Sequence, residues 1–310
     1  MTTLLHLGTP DDSSYQMKLA GLTAGTKVAW KTKLETPDTV RALEDMMLKV
    51  PGGVQGVVCT NQEFLVKLLN QQPDFTPPNN RRGLTLDDYQ GSLLTTPRDK
   101  IPVVILNPLA NLMSVPHATP AAKRFIEKLT KPETFFSQMP FKWELATPAN
   151  LPHYYERWKK YARLISCDIE TAVGDPDRRI NCVGYAAWFP DSGTTECLVI
   201  PFTDLFFHSW VKKFNDLPQP KIFQNGLYDN LYFARWNCVA SNWLHDTQHL
   251  FHSMFSEYPK RLDFITAFAL RDVRYWKDDG KSGDLVDYYR YNARDCWATL
   301  NAYLALVDRS

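Results

Sequence analysis

Asp168 and Glu170 stand at i and i+2 in the run Ile165-Ser166-Cys167-Asp168-Ile169-Glu170-Thr171. On an extended strand such a pair projects from one face, while Ile169 points the other way into a core. Two carboxylates on one face repel each other unless something positive lies between them. Hard oxygen ligands of this kind suit Mg²⁺ or Mn²⁺. Alone, the pair is as readily an acidic strand end. Further along, Asn225-Gly226-Leu227-Tyr228-Asp229 follows the strand-like Lys221 to Phe223 and opens a helical pattern. Asn225 is placed to cap that helix, with Asp229 on the same face one turn later. Alone, this too is ordinary: a capped helix with an acid in its first turn. Tyr291 and Asp295, at i and i+4 on the last helical pattern, point a phenol and a carboxylate the same way.

The elements that must position these groups show in the periodicity. Arg163 to Glu170, Ile180 to Trp188 and Glu196 to Ile200 are apolar strand patterns, the last two joined through the turn Pro190-Asp191-Ser192-Gly193. Short links make them antiparallel neighbours. Helical patterns cover Pro152 to Lys160, Phe207 to Asn215 and Gly226 to Trp236, with Lys221 to Phe223 a short strand. Asp284 to Val307 is the longest helix, with Leu285, Tyr288, Cys296, Leu300, Leu304 and Val307 on one face. Strands first and then alternating helices and strands describe a mixed α/β sheet flanked by helices.

Upstream lies a second, smaller α/β pattern. Residues 1 to 26 are polar and turn-rich and read as a loosely structured N-terminus. Thr36-Pro37-Asp38 starts a helix carrying Val40, Leu43, Met46 and Met47, which Pro51-Gly52-Gly53 stops. Val54 to Cys59 is a strand, and Asn61 caps the helix Gln62 to Leu69. Pro73 to Gly83 is a loop, Ile101 to Leu106 a buried strand and Ala121 to Leu129 a helix. Pro132, Pro140, Pro148 and Pro152 interrupt the pattern and place a boundary near 148, giving units 1–148 and 149–310.

With 310 residues, 44% hydrophobic and 22% charged, the chain has the composition of a folded protein with room for both units. The net charge of +1 lacks the basic signature of many nucleic-acid binders. Bound metal ions would supply positive charge locally instead. Cys59, Cys167, Cys182, Cys197, Cys238 and Cys296 form no zinc-like spacing and read as reduced core residues. No signal-like N-terminus or membrane-length apolar run occurs, so a soluble, cytoplasmic protein without membrane contact is expected.

Taken in order, the strand acid pair, the Asn-x-x-x-Asp of a strand-to-helix junction and the Tyr-x-x-x-Asp of a terminal helix resemble the DEDD superfamily of exonucleases, tyrosine subtype. The likeness is strongest to the proofreading domain of family A DNA polymerases and covers residues 152 to 308. A softer likeness links Asp88-Tyr89-Gln90-Gly91-Ser92-Leu93 and Ile105-Leu106-Asn107-Pro108-Leu109 to the upstream region of some phage family A polymerases. The resemblance implies a ribonuclease H-like fold for 149–310, preceded by the smaller α/β domain. It implies a 3′-to-5′ DNA exonuclease using two divalent ions, Mg²⁺ or Mn²⁺, on single-stranded or frayed 3′ ends. By position, Asp168 would bridge both ions, Glu170 and Asp295 would complete the first site, and Asp229 would hold the second. Tyr291 would orient the attacking water, since a phenol with a pKa of about 10 is a poor general base. Thr171 and Asn225 are candidate contacts to the terminal nucleotide, and equally candidate caps. An exonuclease encoded alone, or one part of a split polymerase with a separate DNA polymerase subunit, both fit a chain ending at Ser310.

Other features carry less. His245, His249 and His252 have helical spacing, and zinc is set aside in favour of a helix bearing histidines, with Asp246 as its cap. Arg271, Arg274, Lys277 and Lys281, interleaved with Tyr275 and Trp276, read as a solvated loop before a strand-tracking patch. Phe264 and Phe268 read as core before base-stacking wedges. Two rival functions remain: a non-catalytic binding or polymerase-scaffolding module on the same fold, and an RNA-directed exonuclease.

Overall fold

The computed structural model describes residues 3–7, 27–31, 39–49, 53–73, 75, 77, 84–108, 115–172 and 179–308. It divides into two compact units, Met1–Ser137 with Ala267–Asp278, and Gln138–Thr266 with Asp279–Ser310.

The first unit contains β1 (Thr3–Leu7), β2 (Lys27–Lys31), α1 (Thr39–Met47), β3 (Gly56–Cys59), α2 (Gln62–Leu69), β4 (Leu93–Thr95), β5 (Pro102–Ile105) and α3 (Ala118–Thr130). Its sheet has the order β2-β1-β3-β5-β4, parallel except at β4, which runs antiparallel to β5. Asn61 caps α2 as its spacing implies, its side chain accepting the Phe64 N–H at 2.9 Å. Leu7, Val57, Cys59, Phe64, Leu65, Leu68, Val103 and Ile105 share one core.

β1 corrects the expectation of an unstructured beginning. Leu4 and Leu7 are buried, and the segment lies between two parallel partners. A buried strand of this length has no alternation to betray it, and its partners lie far along the chain. His6 is also buried, its Nε2 3.2 Å from the Thr60 hydroxyl, which donates to the Leu7 carbonyl at 3.0 Å. Burial pushes His6 down to about 3, so the ring is neutral. The rest of the N-terminal expectation, 8–26, lies outside the described residues, as does most of the loop read at 73–83.

The second unit contains β6 (Trp143–Leu145), α4 (Leu151–Tyr161), β7 (Leu164–Thr171), β8 (Ile180–Phe189), β9 (Thr194–Pro201), α5 (Leu205–Asn215), β10 (Lys221–Phe223), α6 (Gly226–Arg235), β11 (Trp243–Asp246), α7 (Thr247–Met254) and α9 (Leu285–Val307). The chain leaves this unit within α8 (Leu262–Ala269) and re-enters it at Asp279. The sheet order is β11-β10-β7-β8-β9-β6. β7, β8 and β9 form an antiparallel meander, and β10 and β11 continue it parallel to β7. This is the ribonuclease H-like arrangement, a mixed sheet with helices on its faces. β6 was not legible in sequence; its residues pair in parallel with Cys197 to Val199 of β9.

The strand period sorts the two faces of this sheet. Ile165, Cys167 and Ile169 of β7 and Val183, Tyr185 and Ala187 of β8 pack with Leu151 and Trp158 of α4 and Val211 and Phe214 of α5. The alternate residues, Ser166, Asp168 and Glu170, therefore face the other side, where α9 lies. There the Ser166 hydroxyl donates to the Cys296 carbonyl at 2.7 Å. Gly184 pairs with Asp168 across the sheet. A Cβ at Gly184 would fall 2.7 Å from the Cys296 Sγ and closer still to the Asn292 side chain, so α9 can approach only because this residue is glycine. Among the described residues no helix is long and apolar enough to cross a membrane.

Candidate active site

β7 supplies Asp168 and Glu170, and α9 supplies Asp295. Ligand oxygens from all three lie within 4.8 Å of one another, with Asp295 buried and the other two half-buried. Among the described residues this is the one group of histidine, cysteine or acidic side chains able to close on a metal ion. The helix begins at its own cap, Asp284, whose carboxylate accepts the Val286 N–H at 2.6 Å.

Tyr291, one turn before Asp295, reaches the same cluster. Its hydroxyl is hydrogen-bonded to the Asp295 carboxylate, and burial together with the charges of Asp295, Glu170 and Asp168 holds its pKa well above the usual phenol range. It therefore stays protonated at neutral pH. The ring is fixed from behind: a Cβ at Gly280 would sit 2.8 Å from the Tyr291 Cγ, so the Asp279–Lys281 turn can pass there only with a glycine.

Asp229 lies on α6 and is buried. Its Oδ1 accepts the Ile169 N–H at 3.0 Å, so it is tied to the backbone between the two strand acids. It does not belong to the three-acid cluster itself. Burial is the main reason its pKa rises to about 7, assisted by the charge of Asp246 and opposed by backbone hydrogen bonds.

Asn225 is where sequence and structure part. It occupies the N-cap position in the left-handed conformation, φ 62° and ψ 41°, and its side chain makes no capping bond. Asparagine is among the few residues that tolerate this conformation. The N-terminus of α6 is capped from another strand: Asp246 of β11 accepts the Gly226 N–H at 2.7 Å. The other oxygen of Asp246 accepts the Gln248 N–H at 2.8 Å and caps α7. One carboxylate thus terminates two helices. Thr171 meets Tyr228, their hydroxyls 3.2 Å apart, so β7 and α6 touch at the rim beyond the acids.

Asn292 is a participant the motif spacing missed. It is fully buried, and its Nδ2 donates to the Asp168 Oδ2 at 2.9 Å. Its Oδ1 faces the Cys182 thiol at 3.7 Å. The available signal was a polar residue in the apolar stripe of α9, between Tyr288 and Cys296.

The features set aside stay outside the site. His245 lies on β11 while His249 and His252 lie on α7, so they share no helical face. His245 Nδ1 pairs with the Tyr303 hydroxyl at 3.0 Å. Phe264 and Phe268 are buried, as core packing requires. Trp276 is fully buried and Arg274 nearly so, donating to the Tyr275 carbonyl at 2.9 Å. The solvated-loop reading thus holds for Arg271 and Lys281, which are exposed, and fails for Arg274 and Trp276, which are interior.

No protein-family model matches the chain, and no curated protein matches it. Among solved structures, the POL domain of Pol1 from M. smegmatis, in complex with DNA primer-template and dNTP, matches 54% of this chain and 27% of its own, at 13% identity and TM-score 0.42. Trypanosoma brucei RNase D matches 55% of this chain and 66% of its own, at 15% identity and TM-score 0.37. Brucella melitensis NrnC with bound Mg²⁺ matches 56% and 81%, at 19% identity and TM-score 0.38. The chain thus spans about a quarter of the first and less than two thirds of the second. The ribonuclease H-like assignment rests on the strand order.

Proposed function

We propose that the chain is a metal-dependent exonuclease that hydrolyses DNA phosphodiester bonds from the 3′ end. The observation that carries this is the cluster of Asp168, Glu170 and Asp295 oxygens within 4.8 Å, with Tyr291 hydrogen-bonded to Asp295. The donors fit a hard divalent cation: they are all carboxylate oxygens, and ligands on opposite sides of an ion of Mg²⁺ size lie about 4 Å apart. Asp168, Glu170 and Asp295 would hold Mg²⁺ or Mn²⁺, and Asp229 would contribute to a second ion. When bound, such ions lower the pKa of water and offset charge at the scissile phosphate.

The protein groups have distinct tasks in this scheme. Tyr291 keeps its proton and orients a water by hydrogen bonding, while Gly280 fixes the ring. Asp229 holds α6 to β7 through the Ile169 N–H. Thr171, joined to Tyr228 at the rim, and Asn225, whose side chain is not spent on a cap, would contact the terminal nucleotide. With a net charge of only +1, the chain offers nucleic acid little general attraction, so affinity for single-stranded or frayed 3′ ends would come from this site and its ions. Proofreading or another replication role, with a separate DNA polymerase as partner and the first unit, read in sequence as 1–148, as an accessory domain, completes the proposal.

The test is a gel of DNA labelled at each end in turn, with Mg²⁺ or Mn²⁺ and after chelation. Shortening from the 3′ end alone, abolished by chelator and by the Asp168→Ala, Asp229→Ala double variant, is expected. Undiminished digestion by that double variant overturns the reading. Identical DNA and RNA oligonucleotides decide the substrate, and gel filtration with candidate polymerases reads the partner.

A further inference from the structure

The acid cluster is held together by a group that is not itself an acid. Asn292 is fully buried, and its amide has one donor contact at the side chain of Asp168, Nδ2 to Oδ2 at 2.9 Å, and a longer one of 3.4 Å to the Asp168 carbonyl. The amide cannot turn over, because an ionised carboxylate only accepts and a flip would set the amide oxygen against Asp168; the oxygen faces the Cys182 thiol instead. Nor can it move back, because the Gly184 backbone lies behind it, so close that a Cβ there would overlap the amide. A carboxylate that accepts one fixed N–H loses its freedom to rotate, and its other oxygen is left aimed away from the donor.

We infer that Asn292 is the positioning residue for Asp168, presetting this carboxylate for a shared divalent cation, and that Gly184 is glycine in order to admit it. This rests on the metal-dependent reading above. Asn292 touches neither substrate nor cation; it acts through Asp168. A neutral donor suits the task, since a lysine or arginine there would offset the negative charge that draws the cation. Removing hydrogen-bonding partners of metal-binding side chains costs about 10- to 100-fold in affinity or activity.

The experiment compares Mn²⁺ binding to the nucleic-acid-free protein, by calorimetric titration, for the unaltered chain, Asn292→Ala, Asn292→Leu, Gly184→Ala and Cys296→Ala. Both Asn292 variants should bind Mn²⁺ at least about tenfold more weakly. Gly184→Ala should do the same with Asn292 intact, because its methyl group drives the amide off Asp168. Cys296→Ala, which loosens the same packing without touching Asp168, should bind Mn²⁺ as the unaltered protein does. In oligonucleotide cleavage the loss should fall on kcat and leave KM unchanged. Melting curves identify folded variants, and Gly184→Ala carries the test if the Asn292 changes prevent folding. Unchanged Mn²⁺ affinity in any folded Asn292 or Gly184 variant overturns the inference, as does an equal loss in Cys296→Ala. If the unaltered protein binds Mn²⁺ but cleaves no strand, the exonuclease reading fails while the binding comparison still decides the role of Asn292.

Discussion

Replacing Glu170 by Gln should stabilise the metal-free protein and destabilise it relative to the unaltered chain once metal is added. The oxygens of Glu170, Asp168 and Asp295 lie within 4.8 Å of one another. At that separation each like-charge pair costs about 3 kcal/mol at an effective dielectric of about 20, and about 1 kcal/mol in full solvent screening. Glu170 is half-buried and meets two such neighbours. The lower bound applies best, and losing its charge relieves about 2 kcal/mol. For a unit of this size that raises Tm by about 4 to 8 °C in EDTA. Saturating Mg²⁺ reverses the order, since a ligand at one hundred times its Kd adds about 2.7 kcal/mol to a chain that binds it. The amide variant gains much less. Thermal melts of both proteins, with EDTA and with Mg²⁺, measure this directly. A metal-free Glu170→Gln protein melting at or below the unaltered one would show that the three charges are not held in opposition. Melts insensitive to Mg²⁺ would remove the metal site.

Other substitutions probe the supports. Asp246→Ala deletes the acceptor for both the Gly226 and Gln248 N–H groups; at about 1 kcal/mol per cap it should cost about 2 kcal/mol in urea unfolding, with Asp246→Asn losing less. Gly280→Ala puts a methyl group 2.8 Å from the Tyr291 Cγ and should lower kcat about 10- to 100-fold with KM unchanged, as Tyr291→Phe should. Unaltered kcat in Gly280→Ala would mean that the ring position does not matter. Asp229 has a folded pKa raised from 3.8 to about 7 by burial. The metal-free fold therefore takes up a proton that the unfolded chain releases near pH 4. This stabilising contribution is whole below about pH 4 and is lost as pH rises toward about 7, so Asp229→Asn should flatten unfolding free energy against pH in EDTA.

How much of this was legible in the sequence depended on where each element finds its partners. The meander of β7, β8 and β9 was legible because its strands are consecutive, with short links and an alternation that puts Ile165, Cys167 and Ile169 on one face. α9 was legible through its apolar period. β1 and β6 were not: each is short, and each exists by pairing in parallel with a strand distant in sequence. Local propensity says little about such a strand, because its backbone hydrogen bonds are all supplied by remote partners.

The same division runs through the site. Asp168, Glu170, Tyr291 and Asp295 could be singled out because their motifs stand in the order of the exonucleases the sequence resembles; local spacing then fixes which face each occupies. What holds them cannot be found that way, because each support is a contact between separate elements: Asn292 with Asp168, Gly280 with Tyr291, Asp246 with Gly226. Asn225 shows the cost of arguing only from neighbours. Its residue type and position both suit an N-cap, yet it stands in the left-handed conformation and makes no capping bond, and a carboxylate from β11 takes the Gly226 N–H instead. Asn292 shows what local pattern can still contribute. A polar side chain in the apolar stripe of a buried helix must find a hydrogen-bond partner, since burial without one costs about 1 to 3 kcal/mol. The stripe therefore announces that α9 faces something polar across the sheet, and the i and i+2 acids of β7 are the polar groups that a sheet face under that helix would present.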